Sequence, residues 1–152
     1  MGSDVKYLVS SERPRILRFT NSAGPVRSKF LLGLRDSKKM LGTRCPGCAR
    51  VHVPARPVCT NCFCEMNDWV EVENKGTLLT YSAVHQSQLS HRKLVPFAFG
   101  IVQLDGADTG FLHYLGDVEP GKVTVGMRVE AVFAENREGS ILDIKYFRPV
   151  SD

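Results

Sequence analysis

No apolar run in this sequence approaches the roughly 18 residues that a membrane-crossing helix needs, so no membrane partner is expected. No apolar stretch follows the charges of residues 1–6, so no signal peptide is expected and the cytoplasm is the default compartment. Four of the five cysteines stand in Cys-x-x-Cys pairs, which argues against a secreted disulfide framework. Gly-x-Ser-x-Gly, His-Glu-x-x-His and Gly-x-x-x-x-Gly-Lys-Ser/Thr are all missing. No carboxylates pair in a way that suggests acid–base catalysis, and His85, His91 and His113 are scattered. The sequence offers no self-contained active site.

What is present starts with Cys45-Pro-Gly-Cys48 and Cys59-Thr-Asn-Cys62, separated by ten residues. Each pair makes a tight turn that aims two thiolates at one point, and two such turns give the four-sulfur tetrahedron of structural Zn²⁺. A catalytic zinc keeps one position open for water, and four thiolates leave none. A redox Cys-x-x-Cys is expected beside a βαβ pattern, which is lacking. Zinc contributes on the order of 10–16 kcal/mol in such sites, so a ribbon this short is expected to fold by binding its metal. Cys64, the fifth thiol, reads as a half-buried structural residue, an alternative ligand or a nucleophile. His52, between the knuckles, reads as a surface residue or a substitute ligand.

With 152 residues the chain holds one or two domains. The net charge of +4 hides a gradient, because residues 1–44 carry ten Lys/Arg against three Asp/Glu, and residues 64–152 carry eight against thirteen. The sequence divides into a basic arm with one amphipathic helix (1–41), a zinc ribbon (42–68) and a β-rich domain (69–152). In the arm, residues 5–9 suit a short strand and residues 21–25 a linker. Residues 28–40 read as a helix with Phe30, Leu31 and Leu34 on one side and Gly42 as its stop, packed on its own domain or on a partner. From Trp69 the period is two. The spacing predicts a long first strand over 69–84 with a glycine bend at Gly76. Further strands are predicted at 97–104, 110–115, 127–134 and 141–147, with a short helix or turn over 117–126. A mainly β chain results: a helical arm, a rubredoxin-like zinc ribbon and a five-stranded OB-fold barrel.

The loop over residues 85–96 is cationic inside an acidic domain. Arg92 and Lys93 suit the phosphates of a nucleotide-bearing ligand. Phe97 and Phe99 follow at alternate positions and suit the floor of an apolar channel. The competing reading is a solvated loop followed by two ordinary core phenylalanines.

Several stretches together resemble the zinc-ribbon/OB-fold acyl-CoA-associated protein family. They are Phe30-Leu-Leu-Gly-Leu34, Arg44-Cys-Pro-Gly-Cys48, the run from Val53 to Cys62, Gly76 to His85, Pro96 to Asp105, and Gly126 to Phe133. The resemblance covers roughly residues 30–149 and leaves the arm before Ser28 unmatched. It implies a zinc-binding accessory subunit in a hetero-oligomer with a thiolase-like acyltransferase whose partner chain holds the nucleophile. Acyl-CoA is then the implied substrate, and a CoA ester the implied ligand near His85, Arg92, Lys93, Phe97 and Phe99. One branch of that family is the small subunit of thiolases that cleave aromatic β-keto acyl-CoA esters such as benzoylsuccinyl-CoA. The rival reading is a nucleic-acid-binding ribbon–barrel module. An acidic barrel with core-like aromatic alternation disfavours it, because backbone binding needs cations where the strand lies. A stand-alone acyl-CoA carrier is the third reading.

Overall fold

The computed structural model describes residues 20–86 and 94–150. The strand expected at residues 5–9, and His91, Arg92 and Lys93, lie outside the described residues.

The one helix, α1 (Gly24–Ser37), begins before the expected residue 28 because Pro25 stands in its first turn, where its fixed φ suits the helix and its missing N–H costs nothing. The helix ends before the expected Met40. Lys38 takes a left-handed conformation (φ 55°) and the N–H of Lys39 returns to the Gly33 carbonyl at 3.1 Å, so the chain can turn straight into a strand. Phe30 and Leu34 are fully buried against this same chain. That settles the choice left open by the sequence, since the helix packs on its own protein.

Met40 opens β1 (Met40–Arg44), the central strand of a three-stranded antiparallel sheet with β2 (Val51–His52) and β3 (Asp68–Val72). The segment 69–73, predicted as the start of the first barrel strand, therefore belongs to the ribbon. Register explains this placement: Met40 lies opposite Val72, and both side chains are buried in the shared core. The expected boundaries at 41/42 and 68/69 both fall inside strands of this sheet.

The barrel contains β4 (Lys75–Val84), β5 (Phe97–Leu104), β6 (Gly110–Leu115), β7 (Arg128–Phe133) and β8 (Ile144–Pro149). It closes in the order β4-β5-β6-β8-β7, with β6 and β8 parallel and the other pairs antiparallel. A five-stranded Greek-key barrel of this kind is the OB-fold. A 3₁₀ turn at Pro120–Lys122 fills the predicted insertion between the third and fourth barrel strands. The last strand starts later than predicted, because Ile141–Asp143 forms a 3₁₀ turn in which the Ser140 hydroxyl accepts from the Leu142 N–H. The irregularity expected at Gly76 lies instead between Leu78 and Thr80. Gly76 serves another purpose: it is buried so close to the Gln103 backbone that a Cβ has no room.

Helix, ribbon sheet and barrel share one hydrophobic core, in which Phe30, Leu34, Met40, Val51 and Val72 join Leu78, Val102, Phe111, Val129 and Phe147. The β5–β6 turn clamps the free edge of β2. The N–H of Val51 donates to the Asp108 carboxylate (2.9 Å), and the N–H of Val53 donates to the Thr109 hydroxyl (2.9 Å). The ribbon is thus fixed on the barrel by side chains that satisfy an otherwise open strand edge.

Candidate metal centre and an apolar groove on the barrel

The two knuckles place Cys45, Cys48, Cys59 and Cys62 with all four sulfurs within 4.8 Å of one another. The Sγ atoms of Cys45 and Cys62 are 3.2 Å apart and those of Cys48 and Cys59 3.6 Å apart. A tetrahedron of Zn–S bonds of ~2.3 Å has edges of about 3.8 Å, so the cage fits Zn²⁺. The two turns are built alike. Ala49 and Phe63, each just after the second cysteine of its pair, have φ 58°, and backbone N–H groups point at the first cysteine of each pair. A Cβ at Gly47 would lie 2.9 Å from the Cys64 sulfur and 3.3 Å from the Cys62 sulfur, so a larger residue there would push on Cys64 beside the cage.

The thiols differ in acidity. Burial opposes ionisation of Cys45, but the Cys48 N–H, the Cys62 thiol and the Gly47 N–H outweigh it and bring the group down to about 6. The N–H groups of Cys62 and Asn61 bring Cys59 down to about 7. Cys62 is pushed well up, chiefly by its contact with Cys45. Cys48 also rises: a backbone bond near Arg50 pulls it down, but burial and its sulfur neighbours win. Four thiolates at this spacing need a cation among them, and a divalent metal supplies it.

His52 is not the surface residue expected. It is 1% exposed, held in β2 with Nε2 3.4 Å from the Cys59 sulfur, and its Nδ1 has no hydrogen-bond partner among the described residues. Imidazole beside thiol is the pattern of an activated nucleophile. Here both groups are buried and the sulfur belongs to the four-thiol cage, so the tautomer with the proton on Nε2 would orient and quiet the thiolate. Cys64 is half-buried, with its thiol 3.8 Å from the Cys62 carbonyl, and stands outside the four-sulfur set.

The second feature lies on the outside of the barrel. In β5 the buried residues are Ala98, Gly100, Val102 and Leu104, and Phe97, Phe99 and Ile101 face outward, half-buried. The interior accepts only small residues there, because a Cβ on Gly100 would lie 2.6 Å from Leu78 Cδ1 and 2.7 Å from the Thr80 carbonyl. The reading of Phe97 and Phe99 as core residues is therefore overturned. With Val84, Leu112, Tyr114, Ile141 and Leu142 they line a groove of about 380 Å³. Leu112 is 60% exposed at its edge. Phe97 stacks edge-on against Tyr114, with centroids 5.8 Å apart. His113 also lines the groove, but it is buried, with its Nε2 held 2.6 Å from the Ile144 carbonyl. His85 is exposed just beyond Val84.

Of the residues expected to touch a ligand, Phe97 and Phe99 share the groove, and His85 stands at the end of the strand that forms one wall. Leu112, Tyr114 and Leu142 were not anticipated. The signal for them was the small–large alternation of β5, which marks the crowded side of a closed barrel.

A two-knuckle, four-thiol ribbon followed by a closed five-stranded barrel defines a zinc-ribbon/OB-fold protein. Residues 36–63 match the rubredoxin-like zinc ribbon domain of ChsH2, and residues 69–134 match its C-terminal OB-fold domain. A DUF35 domain-containing scaffold protein of Methanocaldococcus jannaschii is 32% identical over 124 residues, 78% of this chain and 87% of that protein. A protein of the same description from Pyrococcus furiosus is 28% identical over 127 residues, 81% of this chain and 92% of that one. Two solved structures share the fold at 23% identity. A DUF35-family protein of unknown function from Sulfolobus solfataricus has a TM-score of 0.62, over 85% of this chain and 87% of that one. A chain of an Ltp2–ChsH2(DUF35) aldolase has a TM-score of 0.60, over 90% of this chain and 98% of that one. This chain belongs to the DUF35 family, with its ChsH2-type zinc ribbon and OB-fold.

Proposed function

We propose that this chain is a zinc-bound accessory subunit that docks on a thiolase-like acyltransferase acting on acyl-CoA, and that the partner carries the catalytic groups. The observation that carries this reading is the orientation of the barrel's aromatic residues. Two phenylalanines that could fill a core are turned outward into an open apolar groove, while the thiol–imidazole pair of Cys59 and His52 is sealed inside. An exposed apolar face on a small protein marks an interaction site. The scaffold description of the archaeal relatives and the pairing named in the Ltp2–ChsH2(DUF35) aldolase support the same reading.

In this reading the helix and ribbon sheet over 24–72 act as a metal-pinned brace, and the barrel over 75–149 is the docking body. The CoA ester reaches this chain at the groove, against Phe97 and Phe99, with His85 at its rim. Aromatic β-keto acyl-CoA esters of the benzoylsuccinyl-CoA type suit its aromatic lining. A nucleic-acid role fits less well, since the residues lining the groove include no lysine or arginine to sit beside the rings.

The test is reconstitution. The purified zinc-loaded chain shows no thiolysis alone, and thiolysis appears when a thiolase-like partner is added. Turnover by the isolated chain, or a partner equally active without it, removes the proposal.

A further inference from the structure

The barrel groove adjoins two more hollows. Ile141 and Leu142 line both the groove and a hollow of about 490 Å³ floored by Phe30, Leu31 and Pro54. Arg27 and Pro54 in turn line both this hollow and one of about 590 Å³ between the start of α1 and the ribbon's return path, where Arg56, Pro57 and Val58 stand. The result is a trough that leaves the aromatic groove, crosses the helix and ends on the ribbon.

Its chemistry changes along its length. The middle is apolar, with Ile141 and Leu142 at 38% and 40% exposure. The far end holds two arginines, and neither has an ion-pair partner among the described residues. No carboxylate lines either hollow, although the rest of the barrel domain is acidic.

We infer that this trough seats an extended segment of the partner subunit, apolar where it crosses Leu31 and Leu142 and acidic where it meets Arg27 and Arg56. The inference rests on the accessory role proposed above and deepens it. Charge complementarity selects the acidic character. The openness of the trough, and its mix of arginine with flat apolar residues, are features of protein interfaces rather than of small-molecule pockets, which enclose most of their ligand. The chain's own residues 1–19 make a poor occupant. They carry Lys6, Arg13, Arg15 and Arg18 against Asp4 and Glu12, and would bring like charge to the two arginines.

Fluorescein-labelled peptides of about ten residues, which extend to about 35 Å, are titrated into the full-length zinc-loaded chain and read by anisotropy. Three designs are compared: apolar then acidic, apolar then basic, and acidic alone. The apolar–acidic peptide is expected to bind best. Its affinity falls about tenfold in an Arg27→Glu/Arg56→Glu variant, as two lost exposed ion pairs allow, and the basic design gains affinity there. Leu142→Asp weakens all apolar designs. Equal binding of the acidic and basic designs, or affinity unmoved by the arginine reversals, overturns the inference. So does arginine-dependent binding of free CoA or an oligonucleotide without peptide binding, or tighter peptide binding on deletion of residues 1–19. If the partner enzyme holds the arginine variant as tightly as the parent chain, the trough assignment fails and the accessory role stands. If acidic peptides bind as expected but no partner turnover depends on this chain, the accessory role fails instead.

Discussion

Replacing Phe30 with alanine tests whether the N-terminal helix is part of the folded body. Phe30 is 1% exposed and sits in the core shared by α1, the ribbon sheet and the barrel. A buried phenylalanine removes about 150–250 Å² from water, which at ~25 cal/mol per Å² is worth about 4–6 kcal/mol. Measured phenylalanine truncations cost about 3–5 kcal/mol, because the surroundings partly collapse. That is a large part of the ~5–15 kcal/mol of an ordinary domain. With a urea dependence of about 2 kcal/mol per molar, the midpoint should fall by about 1.5–2.5 M. The chain supplies its own local probe: its single tryptophan, Trp69, lies in β3 with the Lys29 ammonium 4.1 Å from its ring centroid. Far-UV circular dichroism reports mostly on the barrel strands. Both signals should shift together in zinc-saturated protein. A shift in Trp69 fluorescence with an unmoved dichroism midpoint would refute the single shared core, and a shift below about 0.3 M would refute the burial of Phe30.

Three further outcomes follow from the same contacts. His52→Leu keeps the volume but removes the donor to Cys59, so zinc affinity measured against a chromophoric chelator should drop about 10–100-fold with the fold retained; unchanged affinity contradicts the orienting role. Leu112→Asp alters an outward, 60% exposed side chain, so stability should stay within about 0.5 kcal/mol while partner binding, read by size-exclusion chromatography, is lost; intact binding removes the groove from the interface. Asp105 is paired with Arg128, which holds its carboxyl below the ordinary value of 3.8. Because the folded-state value is depressed, this contribution is present above about pH 4 and lost as pH falls through the folded value. Asp105→Asn should then cost under about 1 kcal/mol at pH 7, as the pair is nearly half exposed, and nothing in strong acid; a cost that persists in acid refutes the pairing.

Much of the architecture was legible because it rests on local signals. Cys-x-x-Cys spacing is a property of one turn, and the period-two runs after residue 75 mark strands whatever they pair with. What escaped is the pairing itself. Residues 69–72 alternate as any strand does, and nothing in their own composition says that β1, nearly thirty residues earlier, is their partner and that a barrel strand is not. The helix limits were misjudged for a related reason. Met40 continues the apolar periodicity of α1, but the left-handed Lys38 ends the helix, and lysine is not a residue that announces such a turn.

The groove escaped for a subtler reason, and that reason bears on function. In residues 97–102 both alternating sets are apolar, so period alone cannot say which set faces the core, and only Gln103 at the end of the strand marks the outer one. Volume decides it. The closed barrel crowds its interior at Gly100, where no side chain has room, so the phase of Ala98 and Gly100 takes the inside. This strand therefore places Phe97 and Phe99 on its outer side, while Phe111 and Phe147 of other strands fill the core. At the ribbon the preference is reversed, with polar, reactive groups taken inside: His52 and Cys59 are buried together and the metal cage leaves no open ligand position among its four thiols. Burial of the Cys59–His52 pair and the outward turn of Phe97 and Phe99 are the two features on which the proposed docking role rests.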